Sequence, residues 1–383
     1  MKILHAIQSA DPVHGGPIAG IKQLAAATQG RHQHHLLSID SPSAAFLADL
    51  PIPFTSLGPG GWLGYSPKLT PWLHLHAKEF DCVVVHGLWR YISVGCWRAL
   101  RRADVPYLVM PHGMLDPWFK QAYPFKHLKK WLFWPWTEYR VLKDATAVLF
   151  TCEEERLRAR DSFWLYNCRE WVGTQPVATP GGEVKAQQEA FLAAHPHLHG
   201  KRSLLFLGRI HPKKGCDLLI AAFARAAADY PDIHLVMAGP CHDNWGKTLR
   251  NRADALGIGD RITWTGMLEG DLKWGAFQNA EAFLLPSHQE NFGIAVAEAL
   301  ACGRPVLISK QVQIWREIAS DGAGLFEADT LAGTEKLLRG WLELSATERK
   351  NMGERARHCF LTRFETGLAA EKISGLLARA AYT

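Results

Sequence analysis

HQENFGIAVAEALACGRPVLIS, residues 288–309, sets carboxylates at Glu290 and Glu298 on either side of a small-residue helix start. The preceding AFLLPS (282–287) is short, apolar and closed by proline, which reads as a buried strand. HQEN is then a loop, GIAVAEALA a helix beginning near Gly293 and stopping at Gly303 before Pro305, and PVLIS (305–309) the next strand. Strand, loop, helix and strand in this order form the repeating unit of a parallel α/β sheet, whose ligand loops lie at the carboxyl ends of the strands. The N–H groups of Asn291, Phe292 and Gly293 are expected to be free for an anion at the helix start. At about 100° per residue, eight helical residues put Glu298 about 80° around from Glu290, so that both carboxylates face one ligand. Carboxylates suit sugar hydroxyls rather than phosphate. Taken alone, the same two residues also read as a helix cap and a solvated helix charge.

Upstream, GRIHPKKGCDLLIAAFARA (208–226) follows another buried strand. Arg209 and Lys214 stand in its loop, and Leu218, Leu219, Ala222, Phe223 and Ala226 give the following helix one apolar face. A bidentate guanidinium and an ammonium point charge beside a helix N-terminus suit a diphosphate, although solvated loop charges would look the same. Similar apolar runs recur through the chain. KILHAI (2–7), DCVVVHG (81–87), YLVMPHG (107–113) and AVLFTC (147–152) occupy the first half, with SLLFLGR (203–209), IHLVMAGP (233–240) and RITWTGM (261–267) in the second. Between the halves, VGTQPVATPGGEVKAQQEA (172–190) is broken by Pro176, Pro180, Gly181 and Gly182 and reads as a linker. Two α/β units facing one another across a central cleft are expected, since domain interfaces favour small-molecule sites. GLAAEKISGLLARAAY (367–382) has helical spacing through Leu368, Ile373, Leu376 and Leu377 and reads as a closing helix. The expected division is 1–180, 181–366 and a helix 367–383 packing back toward the first domain.

The 383 residues suit two domains, each with its own core. With 48% hydrophobic and 21% charged residues, the composition is that of a globular protein and excludes a disordered or fibrous chain. The net charge of +6 permits an anionic ligand without requiring nucleic acid, and no basic run carries a nucleic-acid recognition motif. The eight cysteines are scattered without CxxC or zinc-like spacing, as expected in a reducing compartment. MKILHAIQSADP reads as a first strand rather than a signal peptide, and no run is long enough to span a bilayer. The expectation is a cytoplasmic protein, peripheral on the inner face of the cytoplasmic membrane if it meets lipid.

GRIHPKKG together with HQENFGIAVAEALACGRPV, an E-x7-E arrangement from Glu290 to Glu298, resembles the retaining nucleotide-sugar glycosyltransferases of family 4 (group 1). GGP at 15–17, PHG at 111–113 and the closing helix also fit. The resemblance implies the GT-B fold, with two Rossmann-like doubly wound domains. It implies that Arg209 and Lys214 hold the donor diphosphate, that Glu298 binds the ribose and that Glu290 contacts the transferred sugar near its 3- and 4-hydroxyls. Gly16 would let the backbone approach phosphate or sugar, His112 would lie over the reacting sugar, and Asn291, Phe292 and Gly293 complete the donor site. No cofactor and no metal are implied beyond the UDP- or GDP-sugar itself, because two cations and a helix N-terminus neutralise a diphosphate. Retention is understood in this family as front-face attack, so Glu290 positions the sugar and is not a nucleophile.

Histidines at strand ends also read as hydrogen-bonded structural residues. His112 has a family match, His86 is a candidate on the acceptor side by position, and His14 and His211 read as loop residues. WFKQAYPFKHLKKWLFWPWTEYRVLK (118–143) mixes Trp118, Trp131, Trp134 and Trp136 with Lys120, Lys126, Lys129 and Lys130. That mixture suits an anionic membrane and a lipid-linked acceptor, or equally a buried aromatic core rimmed by solvated lysines. PHGMLDPWFKQ and KKWLFWPWTEYRVLKDA resemble bacterial members that build exopolysaccharide, capsule or lipopolysaccharide, which implies a glycan or polyprenyl-diphosphate-linked acceptor. Asn291 stands where the family often has glycine, and VGTQPV replaces its usual asparagine-glycine loop. The alternatives are a nucleotide-sugar 2-epimerase of the same fold and a non-catalytic sugar-nucleotide-binding subunit.

Overall fold

The computed structural model describes residues 1–14, 16–241 and 244–382. Gly15, the first glycine of the GGP stretch, thus lies outside the described residues. The chain divides into two compact units, Met1–Pro176 with the segment from Thr366 onward, and Val177–Glu365. The span read as a linker is shorter than its composition suggests. Val172 closes a strand, and helical spacing takes over at Val184 once Pro180, Gly181 and Gly182 are passed.

The first unit holds a seven-stranded parallel sheet of β1 (Lys2–Ile7), β2 (Gln33–Ser38), β3 (Phe54–Ser56), β4 (Cys82–His86), β5 (Tyr107–Met110), β6 (Ala147–Phe150) and β7 (Glu170–Val172), in the order β3-β2-β1-β4-β5-β6-β7. β4, β5 and β6 are buried on both faces, which is why CVVVH, YLVM and AVLF run apolar without alternation. Its helices include α1 (Gly16–Ala27), α2 (Pro124–Phe133), α3 (Glu153–Ala159) and the C-terminal helix Thr366–Ala381. In the C-terminal helix Ala369, Ala370, Ile373, Leu377 and Ala380 are buried, and Ile373 and Leu377 pack with Ile3, Val84 and Leu108 of the sheet. Leu368, expected on that stripe, is half exposed, because the buried face starts one residue later.

The second unit holds a six-stranded parallel sheet of β8 (Arg202–Leu207), β9 (Ile233–Ala238), β10 (Ile262–Gly266), β11 (Ala280–Leu285), β12 (Val306–Ser309) and β13 (Gly324–Glu327), in the order β10-β9-β8-β11-β12-β13. Helices α4 (Val184–Ala194), α5 (Cys216–Ala227), α6 (Gly270–Asn279) and α7 (Ile294–Ala301) belong to it. In both sheets the strand order reverses once, between β1 and β4 in the first and between β8 and β11 in the second. Loops leaving such a pair diverge to opposite sides and open a crevice at the carboxyl ends, where open α/β sheets bind ligands.

Candidate functional site

In the second unit the loops leaving β8 and β11 carry the charges singled out in the sequence. The β8 loop swings against the end of β11 because Gly215 lies in the left-handed region (φ 65°), where a Cβ would sit 2.1 Å from the Pro286 carbonyl oxygen. The His288 N–H donates to the Lys213 carbonyl at 2.9 Å and joins the two loops. This brings Lys214 to Glu290, and the two side chains form an ion pair. The Glu290 backbone is fixed in turn, its N–H donating to Gln311 at 3.1 Å and its carbonyl accepting from Gln313 at 3.1 Å.

Burial and the positive charges of Lys213 and Arg209 push the Lys214 ammonium below the ordinary lysine range, to about 7. The Glu290 carboxylate opposes that shift and favours the charged form. Arg209 is exposed, with its charge within reach of Lys214. Lys213, Lys214 and Arg209 thus gather beside the Glu290 carboxylate, which leaves the local balance of charge positive.

Helix α7 starts at Ile294 with Gly293 as its N-cap in the left-handed region. The N–H groups without an intrahelical acceptor therefore belong to Gly293, Ile294 and Ala295, up to two residues later than Asn291–Gly293. Phe292 is core, packed edge-on against Phe364 at 5.8 Å. Because residues 290–293 are not helical, the angular argument from Glu290 to Glu298 fails. Glu298 is buried on α7 and accepts from Lys273 Nζ of α6 at 2.7 Å. Burial raises the Glu298 carboxyl above its ordinary value, and Lys273 draws it back toward ionisation. Nothing in the sequence marked Lys273 as the partner, since α6 shows no distinctive pattern around it.

In the first unit Gly16 opens α1 after β1, and its carbonyl accepts from Gln175 at 3.2 Å. His112 follows β5 in the left-handed region (φ 51°), a conformation that non-glycine residues adopt at a cost of about 1 kcal/mol or more. A buried carboxylate holds that loop. Glu155 of α3 accepts from the Gly113 N–H at 2.6 Å and from the Thr151 N–H and hydroxyl at 2.7 and 2.8 Å. His112 Nε2 meets His86 Nδ1 at 2.9 Å, and His86 Nε2 meets His5 Nδ1 at 3.0 Å. His86, expected on the acceptor side, is thus buried between two other imidazoles. Burial lowers the His112 imidazole to about 4 and the His86 imidazole well below its ordinary value. These rings form a row, and among the described residues no group of three or more His, Cys, Asp or Glu side chains could hold a metal ion.

The WFKQAYPFKHLKKWLFWPWTEYRVLK stretch divides between its two readings. Trp134 is fully buried, stacked on Phe163 at 4.6 Å. On α2 and just beyond it, Phe125, Leu128, Trp131, Leu132, Phe133 and Trp136 are exposed beside the exposed Lys126 and Lys129. Lys130 turns inward and lies 4.5 Å above the Trp89 ring. No described helix is long and apolar enough to cross a membrane.

Residues 187–359 match the family described as glycosyl transferases group 1, and residues 15–165 match the glycosyl transferase 4-like domain. A D-inositol 3-phosphate glycosyltransferase of Mycolicibacterium gilvum is 37% identical over 132 residues, which is 34% of this chain and 28% of that protein. Across the first curated relatives the matched length is 28–40% of theirs, so the chain spans about a third of the proteins it matches. Among solved structures, HepE of Anabaena in complex with UDP-glucose superposes with a TM-score of 0.78 at 17% identity, covering 99% of this chain and 100% of that one. Sucrose-phosphate synthase of Thermosynechococcus elongatus superposes with a TM-score of 0.77 at 18% identity, covering 99% and 98%. The fold is accordingly GT-B, and with both units matched by the corresponding domain models the chain belongs to the group 1 glycosyltransferases of family 4.

Proposed function

We propose that the protein is a retaining, metal-independent hexosyltransferase that moves a sugar from a UDP- or GDP-sugar to a glycan acceptor. The observation that carries this reading is the Lys214–Glu290 ion pair at the strand-switch end of the second sheet, beside Arg209 and the open start of α7. Arg209 and Lys214 oppose the charge that grows on the leaving diphosphate, which is where preorganised cations accelerate such a step. Glu298 takes the ribose hydroxyls, Glu290 the hydroxyls of the transferred sugar, and His112 contacts that sugar. The departing phosphate oxygen accepts the acceptor's proton, so no side chain serves as nucleophile.

The acceptor we favour is a polyprenyl-diphosphate-linked surface oligosaccharide, reached from the inner face of the cytoplasmic membrane. The exposed apolar and basic side chains of α2 support it, since such a face rests on anionic lipid. Thermal stabilisation by UDP, GDP, ADP and TDP, with and without EDTA, tests the donor reading. One nucleotide should stabilise equally in both conditions, and no shift for any of them would favour a non-catalytic role. Nucleotide release that depends on added acceptor separates transfer from 2-epimerisation. Comparing a lipid-linked acceptor with D-inositol 3-phosphate, the acceptor named in the relatives, tests the acceptor assignment.

A further inference from the structure

Four imidazoles cross the first unit's sheet in a diagonal row, from His34 on β2 through His5 on β1 and His86 on β4 to His112 after β5. The register explains the diagonal. His34 lies opposite Ile3 and His86 opposite Ile7, so with His5 they occupy alternate positions on one face of the sheet. Thr28, just beyond α1, ends the row, its Oγ1 lying 2.7 Å from His34 Nε2.

That hydroxyl sets a direction for every ring. The Thr28 O–H donates to the Leu24 carbonyl at 2.7 Å, a separation that two acceptors without a proton between them would not hold. The proton being committed there, Oγ1 accepts from His34, which therefore carries its hydrogen on Nε2. His34 Nδ1 then accepts from His5 Nε2 at 2.9 Å, His5 Nδ1 from His86 Nε2 and His86 Nδ1 from His112 Nε2. Each ring stays neutral with one proton, in agreement with the burial that lowers all four imidazoles. The last ring is left with a lone pair on Nδ1.

We propose that Thr28, His34, His5 and His86 are positioning residues that hold His112 as its Nε2-protonated tautomer, making His112 Nδ1 a hydrogen-bond acceptor for a hydroxyl group of the bound sugar. Only the last clause rests on the reading of His112 as a sugar contact. Reversing every donor along the row keeps the same number of ring-to-ring bonds, so its two directions differ only at the ends. Thr28→Val removes the hydroxyl and strands the His34 Nε2–H without an acceptor. Reversal leaves a bare lone pair there instead, which costs less than an unpaired buried N–H. His112 then presents Nδ1–H to the ligand.

The test is two-bond 1H–15N spectroscopy of the full chain labelled in its imidazoles, at neutral pH, with His112 assigned from the spectrum of His112→Gln. In the native protein all four rings should carry the proton on Nε2. In Thr28→Val the His112 proton should move to Nδ1, and Thr28→Ser should restore the native pattern. A native His112 protonated on Nδ1, or present as mixed tautomers, would overturn the proposal. So would a folded Thr28→Val protein with His112 unchanged. If Thr28→Val does not fold, the native and Thr28→Ser spectra still decide. The hydroxyl clause is read separately: Thr28→Val should weaken nucleotide-sugar binding about fivefold relative to the free nucleoside diphosphate. Equal affinities despite reversed tautomers would overturn that clause. These spectra need no turnover, so failure of the glycosyl-transfer reading would show separately, as absent nucleotide binding.

Discussion

At the strand-switch end of the second sheet, Lys214 with Glu290 and Lys273 with Glu298 stand as two ion pairs. At the same end of the first sheet, His5, His86 and His112 stand as uncharged rings bonded to one another. The first arrangement holds its charges as pairs, Lys214–Glu290 partly exposed and Lys273–Glu298 with a buried carboxylate. The second disfavours charge, because protonating His5 or His86 would remove an acceptor its neighbour needs. Equivalent places in two similar sheets thus differ in kind, one built from paired charges and the other from neutral rings.

The contrast breaks most readily at its cations. Lys214→Ala and Arg209→Ala should each lower the transfer rate 10²–10³-fold, about 3–4 kcal/mol, with melting temperatures little changed. Near-normal turnover in both variants would remove the diphosphate role. On the histidine side the effect is on stability. The folded pKa of His34 is depressed to about 4 against an ordinary 6.5. Its contribution is therefore complete above pH 6.5 and lost as pH falls toward 4, on the order of 3 kcal/mol. Hydrogen exchange at β1 and β4 amides between pH 7 and pH 4.5 measures it, and a flat profile would mean the row does not stay neutral.

Smaller effects sharpen the division within the charged site. Glu298→Ala should weaken nucleotide binding about tenfold, or about 1.4 kcal/mol, whereas Glu290→Ala should mainly slow transfer. Unchanged nucleotide affinity in Glu298→Ala, measured by calorimetry, would count against its ribose role. The smallest effect is expected at α2, where Lys126→Glu with Lys129→Glu should lower binding to anionic vesicles by about 1 kcal/mol per lysine. Turnover on a water-soluble acceptor should not change.

Much of this was legible where one physical signal dominated. KILHAI matches β1 residue for residue, and the other apolar runs overlap strands that are central except for β10, because a strand buried on both faces has little room for polar residues. Of the edge strands β10 showed, as RITWTGM, while β3, β7 and β13 did not, nor did β2 inside the first sheet. β3 and β7 have three residues each, β13 only four, and QHHLLS (β2) looks polar because His34 spends its polarity on His5 and Thr28, and His35 on Thr55. Missing β2 also hid His34, and with it the direction of the row. Motif spacing marked Arg209, Lys214, Glu290 and Glu298, but not that Lys214 pairs with Glu290 or that Glu298 pairs with Lys273. The Lys273–Glu298 contact joins residues 25 positions apart on separate helices, and Glu155 reaches Gly113 across 42 positions. Pairings of that kind follow from the topology rather than from any local pattern.

The C-terminal helix completes the apolar layer of the first unit although it is made after the whole second unit. During synthesis residues 1–176 leave the ribosome with Ile3, Val84, Leu108 and Leu149 on one sheet face, and Ile373 and Leu377, which cover them, follow only after the whole second unit. The nascent first unit therefore carries an open apolar face while the whole second unit is made, a natural substrate for a holding chaperone. A chain stopped just before Thr366, which keeps Lys214, Glu290, Glu298 and His112, should for this reason aggregate rather than stay soluble and merely slow.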